Sequence, residues 1–405
     1  MNKIKTDIAI TKQLATLEPL IGRDRQSQNP DHVYLSFGSP DPNLFPVKAW
    51  RNATEEVLRT NVIDALQYAG GKGAERIKSW IIDRGKLRNL TLDEDQILIT
   101  AGAAQAIDFT TRLLLNPDDE VWVEAPTYFF ALQSFHLADA NVQMIPMDAA
   151  GIDINYITEQ LEDRVKNNKR IPKLLYLMPN FHNPTGKTLL LERRRQLAIL
   201  ARKYDFYIIE DDAYTEINFT EKHVPAIHSF APERVLYIGT FSKVIAPGVR
   251  IGWIAATKFF IDKMKLFMLG PQTSPIVQEI LGTMLEEFPI DPHVHELATT
   301  YRSKRDKMIS DIQTYFGRTV TFHIPDGGFF IWLHLKEVVD PEDLLETAFN
   351  HGVSIVIGDS FYKEAPHRTC VRLCYSYCSE EQIERGIASL AKAYHSIIHN
   401  KNFHK

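Results

Sequence analysis

The chain has 405 residues, 44% of them apolar, and a formal net charge of −5. A chain of this length can bury a large core and usually forms two domains, or one domain with a substantial lobe. The acidic balance argues against a nucleic-acid partner, and three cysteines favour a reducing compartment over a disulfide framework. No apolar run approaches the roughly 18 residues that span a bilayer, and the N-terminus lacks the apolar core of a signal peptide. We therefore predict a cytoplasmic protein.

Short apolar runs typical of strands alternate with helical stretches through the middle of the chain. The predicted strands are 97–100, 120–124, 174–178, 206–210, 235–239 and 252–256. Helices are predicted between them, for example at 103–115 and 190–204. This alternation predicts an α/β fold of three α/β/α layers with a mostly parallel central sheet.

The C-terminal part reads differently. Ser379 and Gln382 have the spacing of a capping box, and apolar residues follow at helical intervals. Strand-like runs at 327–333 and 353–357 precede that helix. We predict three regions, with boundaries good to tens of residues. They are an N-terminal arm packing with the small domain (1–45), a large domain (46–288) and a smaller α/β C-terminal domain (289–405).

Lys243 lies in a segment that combines an amine with the donors of a phosphate site. An apolar run at 235–238 is followed by Thr240 and Ser242, then at once by Lys243, and Arg250 comes seven residues later. Hydroxyls and a guanidinium bind a phosphate monoester, and a lysine beside that anion can carry a carbonyl as a Schiff base. Phosphate and aldehyde on one molecule describe pyridoxal 5′-phosphate. In an arbitrary sequence, however, a lysine is far more often a solvated charge.

Asn183, Asp211 and Lys243 each follow one of the predicted strands. The carboxyl ends of parallel strands meet at one edge of a sheet, where ligands bind in open α/β folds. We therefore expect these three side chains to line one site. A helix cap or a loop charge is the ordinary alternative for an acidic residue after a strand.

An acidic residue here would pair with the pyridine nitrogen of the cofactor and keep its ring able to accept electrons. Glu210 and Asp212 compete with Asp211 for that role on sequence alone, although alternation along the strand turns Asp211 away from both. Tyr214 and Asn183 have donors suited to the phenolate oxygen, while Asn-Pro-Thr-Gly also forms a turn.

Two further features are weaker by themselves. Tyr128 could stack on a planar ring, but a core aromatic residue would look identical. The strand-to-helix turn at Gly102 offers backbone N–H groups to a phosphate, as many helix N-termini do.

Together these motifs resemble a fold-type I pyridoxal-phosphate enzyme of the class I/II aminotransferases. They are most similar to the branch of 2-aminoadipate, kynurenine and broad-specificity aminotransferases. The resemblance extends from residue 37 to the C-terminal helix. It depends most on Asn-Pro-Thr-Gly at 183–186, Asp211 with Tyr214, the segment 240–243 with Arg250, and Val-Arg-Leu at 371–373.

The resemblance implies a role for each matching residue. Lys243 would bear the cofactor and move the proton between the substrate α-carbon and C4′, with Asp211 and Tyr214 as the other catalytic residues. The implied cofactor contacts are Tyr68, Gly102, Ala103, Ala104, Tyr128, Asn183, Asp211, Tyr214, Thr240, Ser242, Lys243 and Arg250. The implied substrate contacts are Gly38, Asn183 and Arg372, and no metal is expected.

Arg372 and Tyr68 have implied roles outside the ring and phosphate contacts of a single chain. Strand alternation puts Arg372 on the face of Cys370 and Cys374, where its fork fits a bidentate α-carboxylate, although an internal salt bridge is the default for an arbitrary arginine. Tyr68 resembles the tyrosine that reaches the phosphate of the neighbouring subunit. It therefore implies a homodimer with shared sites.

The sequence departs from the family pattern in two places. The phosphate loop often reads Gly-Ser-Gln-Gln in the family but is Gly-Ala-Ala-Gln at 102–105 here, which loses a hydroxyl and an amide. The basic helical lead-in near the N-terminus is replaced by a segment in which Arg23 or Arg25 could meet an acidic side chain, or remain solvated.

The leading interpretation is an aminotransferase acting on an L-amino acid and a 2-oxo acid. Elimination, racemisation or cyclisation at the same carbanion is a second possibility, because small changes around the ring decide the outcome. A third is a ligand sensor with an aminotransferase-like domain, which the acidic charge and the roughly 35 residues before Phe37 disfavour.

Overall fold

The computed structural model describes residues 11–16, 27–68, 71–220, 222–266, 268, 273–366 and 368–403. The strands, in chain order, are β1 (Val33–Tyr34), β2 (Ile97–Thr100), β3 (Glu120–Ala125), β4 (Asn141–Asp148), β5 (Gly151–Ile152), β6 (Leu174–Leu177), β7 (Tyr207–Asp211), β8 (Val235–Thr240), β9 (Gly252–Ala255), β10 (Val320–Phe322), β11 (Phe330–Leu335), β12 (Val353–Ser354), β13 (Val356–Ile357) and β14 (Cys370–Cys374).

The helices, numbered in the same way, are α1 (Lys12–Ala15), α2 (Val47–Thr60), α3 (Val62–Ala65), α4 (Gly73–Gly85), α5 (Ala103–Leu114), α6 (Phe129–Leu137), α7 (Ile154–Lys166), α8 (Leu191–Tyr204), α9 (Lys258–Lys265), α10 (Pro275–Glu287), α11 (Ile290–Phe316), α12 (Pro341–Asn350) and α13 (Glu380–Phe403). Within the described part of the chain, no helix combines the length and apolar character that crossing a membrane requires.

The large sheet has the strand order β2-β9-β8-β7-β6-β3-β4-β5. Neighbouring strands from β4 through β3, β6 and β7 to β8 are parallel, whereas β9 is antiparallel to both β8 and β2. The prediction of a mostly parallel central sheet is confirmed. The exceptions are β9 and the short edge strand β5, which is antiparallel to β4. The apolar sequence of β9 does not encode its direction.

The central strands are buried on both faces. Every residue of β6 and β8 is buried, and so is every residue of β7 after Tyr207. Parallel strands covered by helices read as continuous apolar runs for this reason. The polar residues that directly follow such strands therefore emerge at the carboxyl edge of the sheet.

A second sheet lies in the C-terminal part, with the antiparallel order β10-β11-β14-β13. The run 353–357, predicted as one strand, is two: β12 pairs in parallel with β1, whereas β13 joins β14. The capping box is confirmed, because Ser379 N–H donates to Gln382 Oε1 and Gln382 N–H donates to Ser379 Oγ.

Helix packing differs on the two sides of Phe288. Helix α10 packs against α2 and α4, while α11 packs against α13. The boundary predicted at residue 288 falls between these helices, and the division into three regions remains a prediction.

Candidate active site

The carboxyl ends of β6, β7 and β8 bring the first three candidates to one edge of the sheet. Asp211 is the last residue of β7, Lys243 lies three residues beyond β8, and Asn183 is in the loop after β6. The side chains of Lys243 and Asp211 are close enough to interact electrostatically, and Arg372 links Asn183 to the same cluster.

Lys243 is half-buried at this edge. Its Nζ donates a hydrogen bond to the Gly38 carbonyl oxygen at 2.8 Å, and it lies 5.4 Å from the centroid of the Tyr214 ring and 5.8 Å from that of Phe329. Burial lowers the pKa of this amine to about 8, and the nearby Arg372 cation acts in the same direction. A lysine with such a pKa has a large neutral fraction near pH 8, which nucleophilic attack requires.

Asp211 is buried and engaged through one oxygen. Its Oδ2 accepts a hydrogen bond from the Tyr176 hydroxyl at 2.8 Å, while its Oδ1 is buried without a hydrogen-bond partner among the residues that the structure describes. Burial raises the pKa of this carboxyl to about 6, against the opposing effects of the Tyr176 hydroxyl, the Ala213 backbone N–H and the Lys243 cation. An unsatisfied buried acceptor costs free energy unless a donor meets it.

The two competing carboxylates are already occupied. Glu210 accepts hydrogen bonds from the backbone N–H groups of Ile227 and His228, at 2.9 and 2.8 Å. Asp212 accepts from the Tyr237 hydroxyl and from Asn180 Nδ2, both at 2.7 Å. Strand alternation therefore sets Asp211 apart from its neighbours, as the sequence suggested.

The predicted phosphate donors lie between β8 and β9. Thr240 Oγ1 is 3.0 Å from Ser242 Oγ and accepts a hydrogen bond from Ser242 N–H at 3.2 Å. Arg250 is exposed, and its Nη2 donates to the Ala101 carbonyl oxygen at 2.9 Å. The guanidinium thus lies against the turn that begins α5.

That turn requires glycine at two positions. Gly102 has φ +95° and directly precedes α5, and a Cβ there would lie 2.8 Å from Arg250 Nη2. A Cβ on Gly252 would lie 2.7 Å from the backbone of Gly102. Helix α5 begins at this turn, and the N–H groups of Ala103 and Ala104, in its first turn, have no acceptor within the helix.

Arg372 lies on β14 and is 3% exposed. Its Nη1 donates to Asn183 Oδ1 at 3.1 Å and its Nη2 to the Ser36 carbonyl oxygen at 2.7 Å. The guanidinium carbon is 4.4 Å from the ring centroid of Phe330 and 5.2 Å from that of Phe361. Apolar walls of this kind strengthen any charge-assisted hydrogen bond that the arginine makes.

The two predicted aromatic residues are placed differently. Tyr214 is buried, with its ring centroid 5.4 Å from that of Phe329, and burial raises the pKa of its hydroxyl well above the usual value, so it stays a donor. Tyr128 is half-buried directly before α6, and its ring centroid is 5.2 Å from that of Phe129.

The Tyr68 side chain does not contact this cluster of its own chain. It is 82% exposed and borders a separate pocket with Ala74, Lys78 and Gln278. The segment with Arg23 and Arg25 lies outside the described residues.

The sequence reading missed several groups that contact these residues. Tyr176 bonds Asp211, Ser36 bonds Arg372, and the rings of Phe129, Phe330 and Phe361 surround the guanidinium. The one sequence feature that could have indicated Tyr176 is its hydroxyl within an otherwise apolar strand. The contact between Arg372 and Ser36 joins residues that are 336 positions apart in the sequence, so local sequence does not indicate it.

The donor set fits pyridoxal 5′-phosphate. Asp211 offers a buried unpartnered oxygen for the ring nitrogen, Lys243 an amine of lowered pKa for the aldehyde, and the turn with Arg250, Thr240 and Ser242 donors for the phosphate. The chemistry of each position matches one part of that molecule.

Comparison with known proteins decides the family. The family model for aminotransferases of class I and II matches residues 32–390. The chain belongs to this family. It is accordingly a fold-type I, pyridoxal-phosphate-dependent aminotransferase, as the motifs implied.

Among individual proteins, this aminotransferase is 35% identical over 369 residues to aromatic-amino-acid aminotransferase 1 of Thermococcus litoralis, with 89% of the chain and 88% of that protein covered. It is 28% identical to 2-aminoadipate transaminase of Thermus thermophilus, with 95% of each covered. The crystal structure of Pyrococcus horikoshii kynurenine aminotransferase in complex with PMP matches with a TM-score of 0.86 and 31% identity, covering 96% of the chain and 97% of that protein.

Proposed function

We propose that this aminotransferase uses Lys243 as its acid/base and Arg372 as the clamp for the substrate α-carboxylate. The observation that carries the proposal is the meeting of both cations at Gly38. Lys243 Nζ is 2.8 Å from the Gly38 carbonyl oxygen, and a Cβ on Gly38 would lie 3.9 Å from Arg372 Nη1. An α-amino acid whose carboxylate binds Arg372 would thus present its α-carbon near the lysine.

The neutral Nζ of Lys243 would take the proton from the substrate α-carbon and then deliver it to C4′ of the cofactor. Its pKa of about 8 supports this, because a general base works best near the operating pH. Bound pyridoxal phosphate supplies the electron sink that makes this proton acidic. The aromatic rings of Tyr214 and Phe329 below the amine keep water from one side of it.

The remaining residues would hold the cofactor. We assign Asp211 to its ring nitrogen, Asn183 and Tyr214 to its phenolate oxygen, and Tyr128 to the face of its ring. Thr240, Ser242, Arg250 and the N–H groups at Gly102, Ala103 and Ala104 would bind its phosphate. These assignments use donors and acceptors of matching charge at one edge of the sheet.

We propose large apolar or aromatic amino acids as donors, because aromatic rings line the site beside the proposed carboxylate clamp. The rings of Phe330, Phe361 and Phe129 lie within 5.9 Å of the Arg372 guanidinium, measured from its central carbon to each centroid. The aromatic and kynurenine activities named for two of the relatives agree with this preference, whereas 2-aminoadipate, named for a third, has an acidic side chain. A 2-oxo acid such as 2-oxoglutarate or pyruvate would accept the amino group.

A homodimer would complete the phosphate site. Tyr68 is 82% exposed, and the resemblance assigns it to the phosphate of a neighbouring subunit. Ile63 and Leu66, close to Tyr68 in the sequence, are also largely exposed, and a group of exposed apolar side chains is in keeping with a protein interface.

The test of the proposal compares the wild type, Lys243→Ala and Lys258→Ala on a panel of amino donors with 2-oxoglutarate and pyruvate. Lys258 is an exposed lysine that pairs with Asp262 and serves as the control. Lys243→Ala should lose the visible absorbance of bound pyridoxal phosphate and about 10²- to 10⁴-fold or more of the rate. Lys258→Ala should keep both. An unchanged absorbance spectrum in Lys243→Ala would show that another group carries the cofactor.

A further inference from the structure

Tyr176 is a fully buried residue of β6 with a polar group aimed at the site. Tyr176 pairs in register with Ile209 of β7, and Asp211 lies two residues further along, on the same face of the sheet. The Tyr176 hydroxyl therefore reaches Asp211 Oδ2 diagonally, at 2.8 Å. The ring packs edge-on against Phe135, with 5.8 Å between centroids.

This contact fixes which oxygen of the carboxylate remains available. A carboxylate on a short side chain can rotate, and either oxygen can face a ligand. The hydroxyl engages Oδ2, so that Oδ1 is left as the buried oxygen without a partner within the described part of the chain.

The hydroxyl also affects the charge of Asp211. Burial raises the pKa of the carboxyl, and the Tyr176 hydrogen bond opposes that rise. Burial and the nearby Asp211 charge raise the pKa of Tyr176 well above its usual value, so the phenol stays protonated and keeps donating.

We propose that Tyr176 is a positioning residue that holds the Asp211 carboxylate with one oxygen directed at the cofactor ring nitrogen. The inference rests on the proposed role of Asp211. Tyr176 acts through Asp211 and does not itself need to touch the cofactor.

The chain supplies a matched control on the other side of β7. Tyr237 is equally buried, lies on β8, and donates to Asp212 Oδ2 at 2.7 Å. Both Tyr→Phe substitutions remove one hydroxyl from a buried carboxylate and keep the ring. Their structural costs should be similar, because each leaves one buried acceptor less well satisfied.

The experiment measures the dissociation constant of pyridoxal phosphate by absorbance titration of the apoprotein. Tyr176→Phe should weaken binding about tenfold, as expected when a charged group loses a hydrogen bond, whereas Tyr237→Phe should change it by less than about twofold. Melting temperatures of both variants check that the two proteins are folded to a similar extent.

A double-mutant cycle with Asp211→Asn separates an effect of Tyr176 that acts through the Asp211 carboxylate from a general loss of structure. If Tyr176 acts only through the Asp211 carboxylate, Tyr176→Phe should change the dissociation constant by less than about twofold in the Asp211→Asn background. An additive cycle, equal weakening by Tyr237→Phe, or no weakening by Tyr176→Phe would each overturn the inference. An unchanged dissociation constant in Asp211→Asn would instead contradict the proposed role of Asp211 itself.

As a second readout, nitrogen-15-labelled pyridoxal phosphate reports the state of its ring nitrogen in the bound form. Its chemical shift should move toward the unprotonated value in Tyr176→Phe and stay at the wild-type value in Tyr237→Phe. A purely structural role for the tyrosine would leave this shift unaltered in both variants.

Discussion

Arg372 is enclosed by phenyl rings, and its two terminal nitrogens already contact Asn183 and Ser36. A planar guanidinium can stack on these rings and still present a fork of donors to a carboxylate. A lysine would retain the charge but not the fork. The shape of the cation, more than its sign, is therefore what this position demands.

Arg372→Lys should lower kcat/KM for amino acids about a hundredfold, because one or two charge-assisted hydrogen bonds to the substrate are lost. Binding of pyridoxal phosphate should stay close to the wild-type value. Arg305→Lys is the matched control, since Arg305 is also buried and lies over a ring, that of Phe219, but contacts Pro325 instead of the site. Steady-state kinetics on both variants make the comparison. Equal losses would point to a general packing effect.

His228 provides a prediction on pH. Burial lowers the pKa of this imidazole from 6.5 to about 4. The folded state therefore binds fewer protons than the unfolded state between pH 4 and pH 6.5, and stability falls as the pH drops through this window. The lowered pKa of His228 corresponds to at most about 3 kcal/mol of unfolding free energy, and this contribution is lost by pH 4.

His228→Gln should flatten that part of the stability curve, measured by urea unfolding between pH 4 and pH 7. His351, an exposed histidine directly after α12, offers the control. His351→Gln should leave the slope of the wild type nearly unchanged. If the slope of His228→Gln matched that of the wild type, other groups would account for the acid sensitivity.

At the scale of elements, the start of α5 depends on a backbone conformation that only glycine adopts easily. Gly102 has φ +95° and ψ 170°, and a Cβ would also press on Arg250. Gly317, after α11, has φ +55° and ψ −121° but open space around the Cβ position. Substitution of either glycine would strain the backbone, but only at Gly102 would the added methyl group also meet a neighbouring side chain.

Gly102→Ala and Gly317→Ala should each cost about 1–3 kcal/mol of unfolding free energy. Only Gly102→Ala should also weaken the binding of pyridoxal phosphate, by roughly tenfold, since the new methyl group displaces a phosphate donor. Chemical unfolding and absorbance titration give the two quantities. Loss of affinity in Gly317→Ala would indicate that the effect is one of global stability.

Elements buried on both faces were predicted well from the sequence. The bounds of β7, which ends at Asp211, and of β8, which precedes Lys243, were predicted within one residue, because continuous apolar runs identify these strands. Strand β4 was not predicted, since its buried and exposed residues do not alternate regularly. The antiparallel direction of β9 and the Tyr176 hydrogen bond depend on which strands become neighbours. Local sequence does not carry that information.

At the scale of the whole molecule, the proposed role of Tyr68 implies that active sites are shared between two copies. A mixture of Lys243→Ala and Tyr68→Ala proteins, each weakly active alone, would then contain heterodimers. One site of each heterodimer has both the wild-type lysine and the wild-type tyrosine.

Activity of the equilibrated mixture at limiting pyridoxal phosphate should rise to about one quarter of the wild-type value, as random exchange of subunits in a twofold dimer predicts. Light scattering should report a dimer for each protein. If Tyr68 served the site of its own chain, every site in the mixture would carry a defect, and mixing would restore nothing.

The pairing of β1 with β12 has a consequence for how the protein is made. Val33 pairs with Val353, and the segment just after β1 supplies the carbonyls that Lys243 and Arg372 contact. This part of the site must wait for β12, which leaves the ribosome some 320 residues later. Contacts so distant in sequence form slowly. We therefore expect the central sheet to assemble before the site does, and nascent chains that stop before β12 to fold without an active centre.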